Sequence, residues 1–238
     1  ISLVTFLSIF CKFGLNHATL RLSSIFFEKK DLIKINQIIL TALILSGIIS
    51  LFLSFLIFYF EQELAINIYK NEDVKGVLKI FAISLPFFTF IQIQKSLLKS
   101  FKLPALANFS DIGSILFLGS IMVIFFQIIE INLNIYRISL FFLVSCLITF
   151  SINNFILFNT VISNFNNFEK RGGDFFLEFN NSFLKSLRDY FSIDFVNYVL
   201  VWGSIFICTF FYDVTTIASF SSTFWLAYSI LFFPLVLN

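Results

Sequence analysis

The pattern of apolar and polar residues divides the chain into seven apolar stretches, each of about 20 residues, which is the length that one helix needs to cross a bilayer. A helix satisfies its own backbone hydrogen bonds in lipid, so each stretch predicts a transmembrane helix. The predicted spans are Ile1–Leu20, Ile38–Phe60, Val77–Leu98, Leu103–Gln127, Ile135–Phe158, Tyr190–Phe211 and Val214–Leu237. We therefore expect an all-α, polytopic membrane helix bundle.

The longest polar break, Asn159–Asp189, separates five predicted spans from two. Four apolar residues inside this break recur at helical spacing: Phe176, Phe179, Phe183 and Leu187. Such spacing predicts an amphipathic helix at the membrane surface or, equally well, an extension of the sixth span.

Composition and charge support a membrane protein and predict its orientation. Hydrophobic residues make up 58% of the chain and charged residues only 13%, whereas soluble domains carry about 25% charged residues. Alternate connections hold eleven Lys and Arg residues against four in the other set. The excess predicts that the first set, including Asn159–Asp189, lies in the cytoplasm. Because these cations cluster between apolar stretches rather than in one patch, we expect no nucleic-acid partner.

Residues for catalysis or metal binding are scarce. The cysteines Cys11, Cys146 and Cys208 all lie in apolar stretches, and His17 is the single histidine. The sequence has no CxxC spacing and no GxSxG, Walker or GxGxxG pattern. We expect no metal site, no cofactor and no enzymatic activity.

The first predicted span carries a narrow polar stripe. Its members follow helical steps of three and four residues: Thr5, Ser8, Lys12, Asn16 and Thr19. Lys12 lies nine residues before Arg21, so its depth is about 13–14 Å, near the middle of a hydrocarbon core of about 30 Å. A lysine at that depth is expected to face a water-filled cavity or an acidic partner.

Two aspartates are candidate partners for Lys12. Asp111 lies nine residues after Lys102, at a comparable depth, and Asp194 shares a polar face with Asn197 in the sixth span. Two interpretations stay open: a Lys12–Asp111 ion pair that only locks two helices, or a Lys12 that lines a substrate path tuned by the acids. His17 lies about 140° from the Lys12 stripe, which predicts a packing or interface residue.

Weaker Ser and Thr stripes recur in the other spans. Taken singly, each favours close packing of helices through small residues. Taken together, they indicate that most helices turn one polar face to a common interior, which favours a transporter over a passive anchor.

Five stretches carry a family resemblance: Phe13–Leu22 (FGLNHATLRL), Glu28–Ile35 (EKKDLIKI), Ile66–Phe90, Lys95–Leu118 and Asp189–Ile230. They resemble the polysaccharide-repeat-unit flippases of bacterial O-antigen and capsule pathways, in the multidrug/oligosaccharidyl-lipid/polysaccharide exporter superfamily. The resemblance implies a transporter of twelve to fourteen helices, in which two lobes surround a central cavity and work by alternating access in the bacterial cytoplasmic membrane. The seven spans would then be the second to eighth, so we expect a fragment of a longer protein.

The resemblance also implies three regions in this chain. Residues 1–158 would be a lobe of five spans that lacks its first helix, residues 159–189 the connector with its amphipathic helix, and residues 190–238 the first two spans of a second lobe.

In such a flippase the substrate would be an oligosaccharide on an undecaprenyl pyrophosphate carrier. Lys12 would bind the anionic pyrophosphate, and Arg21 would stand at the cytoplasmic mouth. The implied substrate-binding residues are Lys12, Asn16, Ser8 and Arg21, and the candidates for ion coupling or ion pairing are Asp111, Asp194 and Asn197. Implied partners are membrane lipids, a polysaccharide polymerase and glycosyltransferases.

Two other functions compete with flipping. A cation-coupled multidrug or metabolite exporter of the same superfamily would favour a cavity rich in carboxylates and aromatic rings. A non-transporting scaffold for glycan synthesis would leave no cavity, because its polar stripes would pair with one another.

Overall fold

The computed structural model of the protein describes residues 2–69, 71–130, 133–165, 181–212 and 216–224. All regular secondary structure in these ranges is helical, which confirms the all-α prediction for them. The helices are α1 (Ser2–Lys12), α2 (Leu15–Glu28), α3 (Leu32–Tyr59), α4 (Glu61–Glu63), α5 (Val74–Ser100), α6 (Pro104–Phe109), α7 (Ile112–Ile128), α8 (Ile135–Phe165), α9 (Asn181–Tyr198) and α10 (Ser204–Phe211). Two π-helical turns, Leu64–Ile68 and Val199–Gly203, follow α4 and α9, and residues 216–224 are also helical.

Three helices in the described part of the chain are long and apolar enough to cross a membrane: Ile33–Tyr59, Val74–Ser100 and Ile135–Thr160. They agree with the second, third and fifth predicted spans. The bent pair formed by α1 and α2 counts as a fourth candidate if its two parts make one span. The chain is thus consistent with a multi-pass membrane protein, but the prediction of seven spans is not confirmed.

The first predicted span is not one straight helix, because α1 and α2 meet at a 50° bend. Phe13 and Gly14 form the bend with φ angles of 44° and 77°. Gly14 also touches α9: a Cβ there would contact the carbonyl oxygen of Leu187 and lie 2.9 Å from the Cβ of Tyr190. Glycine fits this position because it tolerates positive φ and lets two backbones approach.

The fourth and sixth predicted spans also differ from single helices. The fourth breaks at Ser110–Asp111, which leaves α7 with 17 residues, close to the lower limit of about 17 for a spanning helix. The sixth is made of α9, a π-helical turn and α10. The seventh, Val214–Leu237, lies largely outside the described residues.

The predicted connector is described only at its two ends. Residues 166–180, including Phe176 and Phe179, lie outside the described part of the chain. Helix α8 runs to Phe165, and α9 continues without a break from Asn181 to Tyr198. Leu187 is buried against Leu15 and Ala18, so this end of the connector belongs to the helix bundle.

Helix α5 forms the centre of the bundle, in contact with α1, α2, α3, α6 and α8. Buried residues cover 61% of its apolar window, against 33% for α3 and for α8. Its side chains Leu85, Phe88 and Ile91 join Val4 of α1 and Phe142 of α8 in the largest core cluster. The outward faces of α3, α7 and α8 expose large apolar side chains, as expected of helices that contact lipid.

The predicted Ser and Thr stripes mostly serve helix packing. Buried hydroxyls donate to carbonyl oxygens of their own helix, as Ser46 does to Ala42 at 2.6 Å and Thr89 does to Leu85 at 2.8 Å. Gly47 brings α3 against the ring of Phe90 on α5. Such hydroxyls satisfy their polarity within their own helix, so they allow neighbouring helices to approach one another closely.

Candidate functional site

A cleft of 370 Å³ lies between α1, α5, the start of α7, α9 and the π-helical turn Val199–Gly203. Its polar lining comprises Thr5, Ser8, Lys12, Gln92, Asp111, Asp194 and Asn197. Phe88, Tyr198 and Trp202 supply aromatic surface. The cleft therefore combines apolar walls with a few polar and charged groups, the mixture that ligand sites have.

Lys12 is the last residue of α1 and reaches the cleft at the bend. The carbonyl end of a helix favours a cation, so this position suits a lysine. Its side chain is only 10% exposed, and its Nζ lies 3.9 Å from Oδ2 of Asp194. That separation exceeds the range of about 2.7–3.2 Å for a hydrogen bond, so the two charges attract without direct bonding.

Asp194 connects α9 to both halves of the bent helix. Its Oδ1 lies 3.0 Å from Nε2 of His17 on α2, and its side chain is 13% exposed. Its Oδ2 is buried and forms no hydrogen bond with any residue that the structure describes. Asn16 also interacts with this carboxylate. The carboxylate is thus anchored on one oxygen, while the other faces Lys12.

Asp111 occupies the opposite side of the cleft and is held more closely. Its Oδ2 accepts from Nζ of Lys95 at 2.6 Å, and its Oδ1 accepts from the backbone N–H of Ile112 at 2.9 Å. Asp111 is therefore the N-cap of α7, a role for which aspartate is among the preferred residues. The structure does not contain the Lys12–Asp111 ion pair that one of the two interpretations predicts. It has two separate pairs instead, Lys12–Asp194 and Lys95–Asp111.

The two pairs interact across the cleft. Lys12 is attracted by Asp111 as well as by Asp194, and is repelled by Lys95. The four charges balance, so these two pairs give the cleft no excess of cations. Because every one of these groups has an opposite charge nearby, an ion that binds to one of them competes with its present partner.

The structure brings together most of the predicted site residues. Lys12, Ser8, Asp111, Asp194 and Asn197 line the cleft. Asn16 is buried beside the cleft and interacts with Asp194, whereas Arg21 is exposed and does not line the cleft.

His17 and Lys95 both contact carboxylates of the cleft, which the sequence does not predict. His17 is predicted to be a packing or interface residue, and it does contact Tyr190 of α9. The 50° bend between α1 and α2 also brings its ring to Asp194. The signal for that bend was Gly14 within an apolar helix pattern. Lys95 lies within α5, near the end of the third predicted span, and its side chain reaches Asp111.

The part of the chain that the structure describes contains no group of three or more His, Cys, Asp or Glu residues that could hold a metal ion. The buried Cys11 and Cys146 do not line the cleft.

Comparison with family models, with curated proteins and with solved structures finds no match for this chain.

Proposed function

We propose that this chain belongs to a membrane transporter that flips undecaprenyl-pyrophosphate-linked oligosaccharides across the bacterial cytoplasmic membrane by alternating access. The observation that carries the proposal is the position of Lys12. Its ammonium lies in a cleft between apolar helices, 3.9 Å from its counter-ion and without a direct bond to it. A lysine buried within a membrane protein is costly unless it has a partner or a function.

The pyrophosphate would bind by taking over Lys12 from Asp194. Ammonium–phosphate bonds are short, about 2.7–2.9 Å, and about twice as strong as bonds between neutral groups. During the exchange Asp194 keeps His17 as a hydrogen-bond partner through its other oxygen. The exchange thus avoids a carboxylate left without any partner, which would be strongly unfavourable in a buried site.

The other lining groups suit the sugar end of such a substrate. Ser8, Gln92 and Asn197 offer hydroxyl and amide groups next to the rings of Tyr198 and Trp202. The volume of 370 Å³ lies at the low end of the range of about 300–1,000 Å³ for ligand sites. The proposal implies a lipid-linked oligosaccharide as substrate and the enzymes of glycan assembly as partners.

A cation-coupled exporter is the second candidate, and one observation favours it. The lining contains Asp111 and Asp194 together with the rings of Phe88, Tyr198 and Trp202, a set that attracts organic cations. The scaffold hypothesis has less support, because it expects the polar stripes to pair and leave no cavity.

Flipping can be measured with the protein in vesicles and a fluorescent undecaprenyl-pyrophosphate oligosaccharide, whose label is bleached by dithionite in the outer leaflet. Lys12→Met should lower the initial rate about 10–100-fold, because losing a hydrogen bond to a charged group costs about 1.5–3 kcal/mol and each 1.4 kcal/mol is about tenfold. Lys75→Met is the matched control, since Lys75 pairs with Glu61 and does not line the cleft.

Equal flipping by the parent and Lys12→Met would refute the proposal. The same vesicles, loaded with a fluorescent organic cation, test the exporter. Export that depends on Asp194 and not on Lys12 would establish the second candidate instead.

A further inference from the structure

An apolar groove of 740 Å³ lies between α6 and α7 on one side and α8 on the other. It shares no lining residue with the cleft. Its walls include Leu106, Phe109 and Phe117, all exposed, and Ile152 and Ile156 of α8. From Thr149 to Ile156 the groove follows α8 for about 10 Å at a rise of 1.5 Å per residue.

The groove exists because the chain breaks between α6 and α7. Ser110, at the break, donates its hydroxyl to Oδ1 of Asn153 on α8 at 2.8 Å. Gly113, just after the break, faces open space, since a Cβ there would meet nothing within 4 Å. The groove is therefore open at Gly113 and is bridged at Ser110.

One polar group in the groove is not satisfied by the described protein. Asn153 is 3% exposed and lines the groove, and its Nδ2 is buried without a hydrogen-bond partner among the described residues. A buried donor of this kind is unfavourable unless it meets an acceptor. The groove thus fits a ligand that is mostly apolar but has an acceptor oxygen, such as an ester carbonyl.

Two lysines lie near the end of the groove, at the connection between α5 and α6. Lys99 and Lys102 are exposed there, and Ala105 of the groove wall follows three residues after Lys102. Lys102 pairs only loosely with Glu28, at 3.6 Å, with both side chains about two-thirds exposed, and such surface pairs contribute little. Lys29 and Lys34 lie over Phe26 in the neighbouring turn, whose Phe27 contacts Phe101.

We propose that this groove binds an anionic diacyl phospholipid. One acyl chain lies along Phe117 and Ile152, an ester carbonyl accepts from Nδ2 of Asn153, and the head-group phosphate lies beside Lys99 and Lys102. Along the groove, the apolar wall faces the acyl chain, the Nδ2 donor of Asn153 faces the ester carbonyl, and the exposed lysines face the phosphate. These three parts follow one another in the same order in the lipid. This site does not depend on the proposed transport function, because it needs only a membrane.

A phospholipid fits the groove better than a protein helix does. A helix that spans the membrane would pack along a length of about 30 Å, whereas the groove follows α8 for only about 10 Å. Anionic lipids are attracted by lysines near a membrane surface, and the attraction falls off within about one Debye length. Lys102 lies three residues before Ala105 of the groove wall, so its charge and that of Lys99 are placed to favour an anionic head group.

Quenching of tryptophan fluorescence by brominated lipids tests the proposal. The reporter is Phe117→Trp in a chain whose own tryptophans carry Trp202→Phe and Trp225→Phe. The chain is placed in phosphatidylcholine vesicles that contain dibrominated phosphatidylglycerol or dibrominated phosphatidylcholine. We expect about a thirtyfold preference for phosphatidylglycerol, from two lysines at the surface.

Three variants separate the parts of the site. Lys99→Gln/Lys102→Gln should abolish the preference between the two lipids. The control Lys75→Gln, at the other end of α5, should keep it, and Glu61 there still pairs with Lys79. Asn153→Leu should weaken binding of both lipids equally, because both have ester carbonyls. If that variant does not fold, Gly113→Leu should reduce quenching by filling the open groove.

Equal quenching by the two lipids in the parent chain would overturn the proposal, as would a preference that survives Lys99→Gln/Lys102→Gln. Excess inorganic phosphate should not displace the lipid; displacement by phosphate alone would show an anion site without an acyl groove.

Discussion

Asp111 and Asp194 line the same cleft, but the two carboxylates are held in different ways. Asp111 uses both oxygens, one for Lys95 at 2.6 Å and one for the backbone N–H that starts α7. Asp194 uses one oxygen for His17, while its other oxygen lies 3.9 Å from Lys12. Asp194 is the more buried of the two, with 13% of its side chain exposed against 43% for Asp111.

The difference separates a structural carboxylate from one that can exchange its partner. Asp111 ends a helix break and fixes α7 to α5, so moving it would disturb the backbone. Asp194 joins side chains on three helices and has no backbone donor among the hydrogen bonds in the described residues. A carboxylate of this second kind can change partners without a change in the fold, which is why the proposed exchange is assigned to Lys12 and Asp194.

Removing the charge of Asp194 should have the largest effect. Asp194→Asn leaves Lys12 buried without its nearest counter-ion, and breaking a buried pair in this way costs about 3–5 kcal/mol. The free energy of unfolding, measured by titrating a mild detergent with sodium dodecyl sulfate, should fall by that amount.

The double variant Lys12→Met/Asp194→Asn is the control for this effect. Replacing both partners by neutral groups of similar shape is nearly neutral, so most of the lost stability should return. If the double variant is no more stable than Asp194→Asn, the 3.9 Å contact does not couple the two residues.

Gly14→Ala should have the next largest effect, because it acts on the bend that brings the exchanging pair together. Left-handed backbone costs a residue other than glycine about 1–2 kcal/mol. The new methyl group would also contact the carbonyl oxygen of Leu187, and overpacking costs about 1–3 kcal/mol. The unfolding free energy should fall by about 2–5 kcal/mol.

Gly47→Ala is a suitable comparison for Gly14→Ala. Gly47 lies in regular helix α3 and faces the end of a phenylalanine ring at 3.3 Å, which can move. A loss of stability at Gly14 no larger than that at Gly47 would show that the bend is not held by α9.

The sequence predicts the helices of this bundle better than it predicts their breaks. Apolar length is enough to predict α3, α5 and α8, because a lipid environment demands about 20 apolar residues for each span. The breaks at Gly14 and at Ser110–Asp111 depend on contacts with distant helices, α9 and α8 respectively. Gly14 is a local signal for the first break, but the contacts themselves have no local pattern, so apolar length alone predicts continuous spans.

The site shows the same limit. Lys12, Ser8, Asp194 and Asn197 were predictable, since polar residues in apolar stretches must face a partner or a cavity. Their pairing was not predictable, because it depends on the turn of α2 by 50° and on the reach of Lys95 from α5. The similar membrane depth of Lys12 and Asp111 favours a pair between these two residues. In the bent structure, Lys12 instead lies next to Asp194.

Asp111→Ala should have a smaller effect than Asp194→Asn, although it removes more hydrogen bonds. It loses the cap of α7, worth about 1 kcal/mol, and a partly exposed ion pair worth at most about 1 kcal/mol. The unfolding free energy should fall by about 1–2 kcal/mol. Asp111→Asn keeps a good N-cap and should recover about half of this loss. If Asp111→Ala lowers the unfolding free energy as much as Asp194→Asn does, the two carboxylates do not differ in the way proposed.

His17→Phe should have the smallest effect on stability and the most informative effect on function. The phenyl ring keeps the contact with Tyr190 but loses the hydrogen bond to Asp194, and because His17 is 37% exposed the loss should be about 1 kcal/mol. Without His17, Asp194 can turn fully to Lys12 and become as tightly held as Asp111. The substrate must then displace a stronger pair, so the concentration for half-maximal flipping should rise while the rate at saturation changes little.

In an Asp194→Asn background the same change should have no effect on that concentration. A shift that persists there would show that His17 acts on the substrate directly, and Asp194 would no longer be the residue through which it works.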